Sequence, residues 1–387
     1  MECREITEGS TTFTAPVQDE TTQFPPGSAP VFYNTRMEFN RDMTVLLAKC
    51  IQPEDYLDSM AATGVRGLRI SNEAGIPVTI NDRDERAVRI IKENAEKLGG
   101  NITVTCDDAN RLMCSSRFDA IDLDPFGTPI PYLDAASRAA KHYLFVTATD
   151  TAPLCGAHFN AGCRRYFATP KNTEYHAEVG LRIMMGAIAR ELVKYDRGMT
   201  PILSFAKSHY FRSHVRVLNK VTAAEETMAQ IGFVMQCTKC LYRAEQKGSL
   251  LPKSHVCPIC GAETEPIGPL WMGPLQEKGV LTEMQSLLPE MEFGTKKQMD
   301  KLLSFLLAEP ETCTFYDYHF ISRSMKVSPP KIEELIENLN KAGYYTTRTH
   351  FCVTGLKTTA PLPVIEEMIR LWNEKEFSDV VADVHLA

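Results

Sequence analysis

Between Asp58 and Gly127, short apolar runs stop one after another at acidic or Gly-rich turns, and a helical pattern follows each stop. No other stretch restricts the chain as much, because strands alternating with helices build a parallel sheet with helices on both faces. The first run, Tyr56-Leu57-Asp58, opens into Ser59-Met60-Ala61-Ala62-Thr63-Gly64-Val65-Arg66-Gly67. A Gly-rich turn between strand and helix lets backbone N–H groups approach a ligand at the carboxyl end of the sheet. The second run, Val78 to Ile80, ends at Asn81 and Asp82, where such sheets hold ribose hydroxyls. Ile102 to Thr105 ends at Cys106-Asp107-Asp108-Ala109, and Ala120 to Leu123 ends at Asp124-Pro125-Phe126-Gly127. Four strand tips are therefore expected to converge on one crevice.

The intervening helices are well punctuated. Asp84 caps a helix with Val88, Ile91, Ala95 and Leu98 on one face, and Gly99-Gly100 ends it. Leu133, Ala136 and Ala140 mark a later helix, and Tyr143 to Ala148 another strand. Residues 174 to 193 form a long helix, and Pro201 to Ala206 resumes strand character. Ahead of the core, residues 5 to 30 are polar and are expected to be an irregular, strand-poor lead-in. Phe32-Tyr33-Asn34-Thr35-Arg36 through Asp42 then crowds aromatic, amide and arginine groups before a helix spaced by Met43, Leu46, Leu47 and Cys50.

A length of 387 residues suits two or three domains. The boundaries fall at 1–222 for the sheet domain with its N-terminal extension, 223–290 for a cysteine-bearing connector, and 291–387 for a C-terminal domain. Hydrophobic residues at 44% and charged residues at 24% are ordinary for a soluble globular protein. No apolar run approaches the roughly 20 residues of a membrane span, and the acidic N-terminus lacks a signal peptide's basic and apolar regions. A cytoplasmic protein is expected, with the oligomeric state open and a monomer compatible with the chain. The net charge of -7 argues against indiscriminate nucleic-acid binding and leaves room for a local basic face.

Two stretches suggest such a face. Lys207, His209, Tyr210, Phe211, Arg212, His214, Arg216 and Lys220 interleave basic and aromatic groups, which suits phosphate contact and base stacking, or equally a charged hairpin. From Lys296 to His350 two helical patterns precede an extended one, Tyr344 to Phe351, in a helix-pair-and-wing order. Its Arg323, Lys326, Lys331, Arg348 and Lys357 suit a phosphate backbone or a solvated face. Of the 12 cysteines, Cys237 and Cys240 form one CxxC and Cys257 and Cys260 another, with 16 residues between the pairs. Four thiolates at this spacing suit a closed tetrahedral zinc site, structural because no ligand position stays open.

Asp124-Pro125-Phe126 after an apolar strand resembles the (Asp/Asn)-Pro-Pro-aromatic corner of enzymes that methylate exocyclic amines, with Phe126 in place of the second proline. Together with Phe32 to Asp42, Ala62 to Gly67, Asp107 to Leu112, Ala148 to Gly156 and Arg348 to Pro361, it resembles the tRNA guanine-26 N2-dimethyltransferase family, and an archaeal member of it. The resemblance spans nearly the whole chain. It implies a Rossmann-like class I S-adenosylmethionine-dependent methyltransferase domain, a zinc-ribbon-like segment and a C-terminal winged-helix-like α+β domain that binds tRNA. By position it implies Arg41 and Arg66 as contacts to S-adenosylmethionine, Asp82 as ribose ligand, Asp108 with Ala109 at the adenine, Asp124 as the catalytic group beside Pro125, and Phe32 with Phe126 as a clamp for the target base. The cysteine quartet is not shared by every relative, so zinc is not expected to take part in the chemistry.

Two other classes remain open at this level. A nicotinamide-dependent oxidoreductase would also want the Gly-rich turn and Asp82, but the G-x-G-x-x-G pattern is absent and Asp124-Pro125-Phe126 would have no task. A non-catalytic RNA-binding protein would explain the cysteines and the wing, and would leave the acidic strand tips idle.

Overall fold

The computed structural model describes residues 3–17 and 31–384. It opens with an antiparallel hairpin of β1 (Cys3–Glu8) and β2 (Thr11–Pro16). An irregular lead-in is thus not what the first part of this stretch forms, while 18–30 lie outside the described residues. The threonines that made it look polar are strand formers alternating with buried Phe13 and Ala15.

The main layer follows in chain order. Helix α1 (Glu38–Ile51) leads to β3 (Tyr56–Asp58), α2 (Val65–Ala74), β4 (Val78–Asn81), α3 (Glu85–Leu98), β5 (Ile102–Thr105), α4 (Ala109–Ser115) and β6 (Phe118–Leu123). Then come α5 (Ile130–Ala139), β7 (Ala140–Ala148), the short α6 (Thr151–Leu154) and α7 (Phe159–Tyr166), the long α8 (His176–Val193), and β8 (Gly198–Lys207) with β9 (Tyr210–Leu218). These strands form one sheet in the order β5-β4-β3-β6-β7-β9-β8. β3 to β7 are parallel, whereas β9 runs antiparallel to both its neighbours, so the sheet is mixed and not wholly parallel. The cause is the tight β8–β9 turn: pairing of Lys207 with Tyr210 leaves room only for a hairpin, and a parallel return needs a long crossover.

Successive residues of a strand send side chains to opposite faces. Tyr56, Ala120 and Phe145 accordingly join a core with α1 and α2, while Leu57, Ile121 and Leu144 join a second core with α5 and α8. Helix α8 is buried on nearly every side, because α9 (Val221–Ala229) and a second sheet cover its outer surface. That sheet, in the order β11-β10-β12, comprises β10 (Ile231–Cys237), β11 (Arg243–Lys247) and β12 (Thr264–Trp271). Helices α10 (Lys278–Leu287) and α11 (Lys296–Ala308) return to the first face, where Met284, Met299 and Leu303 pack into its core.

A third core gathers Tyr318, Ile321, Leu335, Leu339 and Ile365. Its elements are β13 (Tyr316–Asp317), α12 (Tyr318–Met325), α13 (Ile332–Lys341), β14 (Thr346–Arg348), β15 (Gly355–Thr358) and α14 (Leu362–Val384), with strand order β13-β15-β14. Lys357, expected on a phosphate-facing surface, is 1% exposed; its Nζ donates to Glu178 Oε1 at 2.7 Å and to the Thr312 carbonyl at 2.6 Å. Arg182 donates to the same Glu178 oxygen at 2.8 Å. A buried carboxylate needs such partners, and Lys357 therefore fastens the C-terminal unit to α8 instead of facing solvent.

Candidate active site

The turn after β3 is shaped by close approach. Gly64 caps α2 at φ +75°, and an added Cβ would lie 2.9 Å from Ile91 Cγ1. A Cβ on Gly67 would lie 2.7 Å from Ile80 Cγ1, so helix and strand meet there without room for a side chain. Asp58, at the tip of β3, accepts from the Gly67 N–H at 3.0 Å. Burial pushes its carboxyl up to about 7, against the pull of Arg66.

Asp82 follows β4 half-buried and takes the Ala62 N–H at 2.8 Å and the Asp84 N–H at 2.9 Å, one on each oxygen. An ionised carboxylate has about four acceptor positions, so Asp82 keeps capacity for ribose hydroxyls. Asp108 is exposed and caps α4, accepting from the Arg111 N–H at 3.1 Å, with Ala109 buried behind it. Asn81 ties these tips together: its Nδ2 donates to the carbonyls of Ser59 and Asp107, each at 3.0 Å, and its Oδ1 accepts from the Asp107 N–H at 3.1 Å. The sequence showed Asn81 only as the end of a strand; an amide between an apolar run and an acid was the available signal.

Asp124 stands just beyond β6, its side chain 22% exposed and ion-paired with Arg66 Nη2. Arg66 also donates from Nη1 to Asn40 Oδ1 at 2.8 Å and Thr44 Oγ1 at 3.0 Å. Beneath them Asp122 is fully buried and grips Arg212, which donates to Asp122 Oδ1 and Thr147 Oγ1 at 2.8 Å each, Thr44 Oγ1 at 3.0 Å and His214 Nε2 at 3.1 Å. Burial alone would raise Asp122, but Arg212 and then Arg66 hold it well below the usual carboxylate range. Charges thus alternate from Arg212 through Asp122 and Arg66 to Asp124.

This places Arg212 and His214, both fully buried, inside the sheet and not on an RNA-facing surface. Phe211 and Tyr210 are likewise buried, and Arg216 pairs with Glu277 at 3.3 Å. The stretch is a hairpin in which Arg212 and His214 point inward while His209 and Lys220 are exposed; the available signal was Arg212 and Asp122, charges set among the apolar residues of their strands. Arg41 is 5% exposed and donates from Nε to Glu8 Oε2 at 2.7 Å and from Nη2 to the Asn34 carbonyl at 3.0 Å, binding the N-terminal hairpin to α1. It lies apart from the Arg66–Asp124 pair in these contacts.

Pro125 is buried, and Phe126 projects with 76% of its surface exposed. Its ring meets Phe32 edge to face, centroids 4.7 Å apart at 84°. Gly127, at φ +83°, completes the corner, its N–H donating to Thr149 Oγ1 at 2.7 Å. An acceptor carboxylate beside two aromatic faces can hold a planar base by its amine.

The four cysteine sulfurs lie within 4.8 Å of one another, with Cys237 to Cys260 at 3.4 Å and Cys240 to Cys257 at 3.6 Å. Sulfurs around a tetrahedral ion with bonds of about 2.3 Å stand about 3.8 Å apart, so side-chain adjustments of about 1 Å or less would let the set hold zinc.

Five parallel strands closed by an antiparallel hairpin, with a Gly-rich turn after the first and acids at the next tips, form a Rossmann-like methyltransferase fold. The model of the N2,N2-dimethylguanosine tRNA methyltransferases matches residues 9–370, and the chain belongs to that family. The tRNA (guanine(26)-N(2))-dimethyltransferase of Methanocorpusculum labreanum is 84% identical over 97% of this chain and 99% of its own length. The protein of the same name from Methanoregula boonei is 54% identical over 97% and 100%. Among solved structures, that of Trm1 from Pyrococcus horikoshii with S-adenosyl-L-methionine matches at a TM-score of 0.86 and 38% identity, covering 95% of this chain and 99% of that one.

Proposed function

We propose that this protein transfers one or two methyl groups from S-adenosylmethionine to the exocyclic N2 amine of guanine 26 in tRNA. The observation that carries the reading is Asp124 at the tip of β6, flanked by the exposed Phe126 and the Phe32 ring, on the same sheet edge as Asp82. The near full-length likeness to tRNA (guanine(26)-N(2))-dimethyltransferases supports it.

When bound, S-adenosylmethionine supplies an electrophilic sulfonium methyl. Asp82 would take the ribose hydroxyls, Asp108 and Ala109 would face the adenine, and Arg66 and Arg41 would complete the cofactor side. The guanine N2 lone pair is delocalised into its ring, so the amine attacks poorly unless well-placed acceptors hold its protons. Asp124 and the Pro125 carbonyl serve as those acceptors, and the ion pair with Arg66 holds the Asp124 carboxylate in position. Extruding the base costs about a few kcal/mol, offset by Phe32 and Phe126, whose rings must part to admit it. Aligning amine and methyl group supplies much of the remaining acceleration.

Asp82→Ala is expected to weaken S-adenosylhomocysteine binding by about 1.5 to 3 kcal/mol, the range for charge-assisted hydrogen bonds. Calorimetry giving unchanged affinity would remove Asp82 from the cofactor site. A thermal shift with S-adenosylhomocysteine and none with NAD separates this reading from an oxidoreductase, because a ligand stabilises the state that binds it.

Cys237, Cys240, Cys257 and Cys260 would hold a structural zinc that fixes the ends of β10 and β12, away from the chemistry. Metal analysis should return one zinc per chain, and the four-serine variant should lose both the metal and thermal stability. Equal zinc in that variant would place the metal elsewhere. The C-terminal unit, with its helix pair and β14–β15 hairpin, would serve as a winged-helix-like grip on the tRNA body through Arg323, Lys326, Lys331 and Arg348, of which Lys331 pairs with Glu334 at 3.4 Å and Arg348 pairs with Glu333.

A further inference from the structure

Phe167 stands directly after α7 with φ +46° and ψ +46°, in the left-handed region, and closes the helix by donating its N–H to the Cys163 carbonyl at 3.0 Å. Glycine is the favoured residue at such a cap, since a β-carbon is strained there. The ring offers nothing to the fold in return, being 80% exposed. A bulky aromatic that is both strained and unburied has its use outside the folded chain.

Its neighbours fit one kind of occupant. Arg164 is exposed and forms no ion pair among the described residues, and Phe159 at the start of α7 is 48% exposed. Phe159 also walls an open hollow of about 440 Å³ whose other sides include Asn172 and Lys171, the latter ion-paired with Glu265 on the same wall. Two exposed aromatic rings with the guanidinium of Arg164 between them in sequence suit a nucleic-acid strand with its bases turned outward.

The support beneath is rigid and tied to the base corner. Tyr166 is buried, with its hydroxyl 2.6 Å from Asp150 Oδ1 and 3.1 Å from Thr128 Oγ1, two residues past Phe126. Arg165 donates to Asp150 Oδ2 at 3.0 Å, and the Tyr166 carbonyl accepts from Arg190 at 2.6 Å. A Cβ on Gly162 would lie 2.6 Å from the Pro153 carbonyl, so α7 packs against α6 with no room for a side chain between them.

We propose that the outer surface of α7, through Phe159, Arg164 and Phe167, binds the strand of substrate RNA that adjoins the target guanine, stacking its bases and pairing with its phosphates. This rests on the reading that Phe32, Asp124 and Phe126 receive the target base. Phe167→Gly tests it: the Tm should hold or rise, while KM for tRNA should increase about 5- to 150-fold, the range for loss of one stacked base. Affinity for S-adenosylhomocysteine should stay the same and kcat should change much less than KM. Arg164→Ala should raise KM and reduce the salt dependence of tRNA binding by about one ion. A fall in Tm for Phe167→Gly would return the ring to the fold, and unchanged KM and salt slope in an active enzyme would remove RNA from this surface alone. Sedimentation showing a dimer that Phe167→Gly converts to monomer would overturn the proposal in favour of a protein contact. Failure of the underlying reading shows separately, as wild-type protein that binds the cofactor but methylates no tRNA.

Discussion

Asp124→Ala is expected to lose about 10²- to 10⁴-fold in methyl transfer, the usual range for loss of a general base, with tRNA and S-adenosylhomocysteine binding largely kept. The carboxylate gains most as the amine rehybridises, so its removal should lower kcat much more than it changes KM. Arg66 does not collapse without it, because Asn40, Thr44 and the Asp122 carboxylate 3.7 Å away still hold the guanidinium. Asp124→Asn keeps an acceptor oxygen and loses the charge. It should retain more activity than Ala if alignment of the amine outweighs proton removal, and equal loss would assign proton removal the larger part. Near wild-type turnover by Asp124→Ala would move the base to another strand tip.

Arg212→Met should destabilise the fold by about 3 to 5 kcal/mol at neutral pH, because it leaves Asp122 charged, fully buried and short of its main partner. The sign with pH follows from the partners. In the wild type Asp122 is depressed below its unfolded value, so its contribution is fully present above about pH 4 and fades only as pH falls toward the lower folded value. Without Arg212, burial is opposed only by Arg66 and the Tyr56 hydroxyl, and the carboxyl should rise. The deficit should then shrink as pH drops and Asp122 protonates, and Arg212→Met with Asp122→Asn should recover part of the loss at pH 8. Denaturant titrations at pH 5 and pH 8 measure this; an equal deficit at both would mean that packing and not the unpaired charge accounts for it.

The sheet was legible where local pattern and tertiary role coincide. Runs such as Tyr143 to Ala148 and the Asp84 cap of α3 appear where periodicity and turn chemistry put them, because a strand in the middle of the sheet is buried on both faces and the helix must be capped. Legibility failed where a polar residue served the interior. Thr11 to Ala15 looked like a loop because threonine counts as polar in composition but sits well on a pleated surface. Arg212, His214 and Lys357 looked like contacts for RNA because a single sequence does not reveal that Asp122, Leu203 and Glu178 wait for them across the fold. At the site, the acids at the strand tips could be named from their place after each run. The links among them, Asn81 joining three tips and Arg66 joining Asp122 to Asp124, needed the register of β3, β4 and β6.

The most direct measurement is incubation of the wild-type protein with unmodified tRNA and methyl-labelled S-adenosylmethionine, followed by nucleoside analysis and mapping of the label. The account predicts N2-methylguanosine, N2,N2-dimethylguanosine or both, with the label at position 26. Label on another atom of guanine, on another base, or on no nucleoside despite bound cofactor would contradict it.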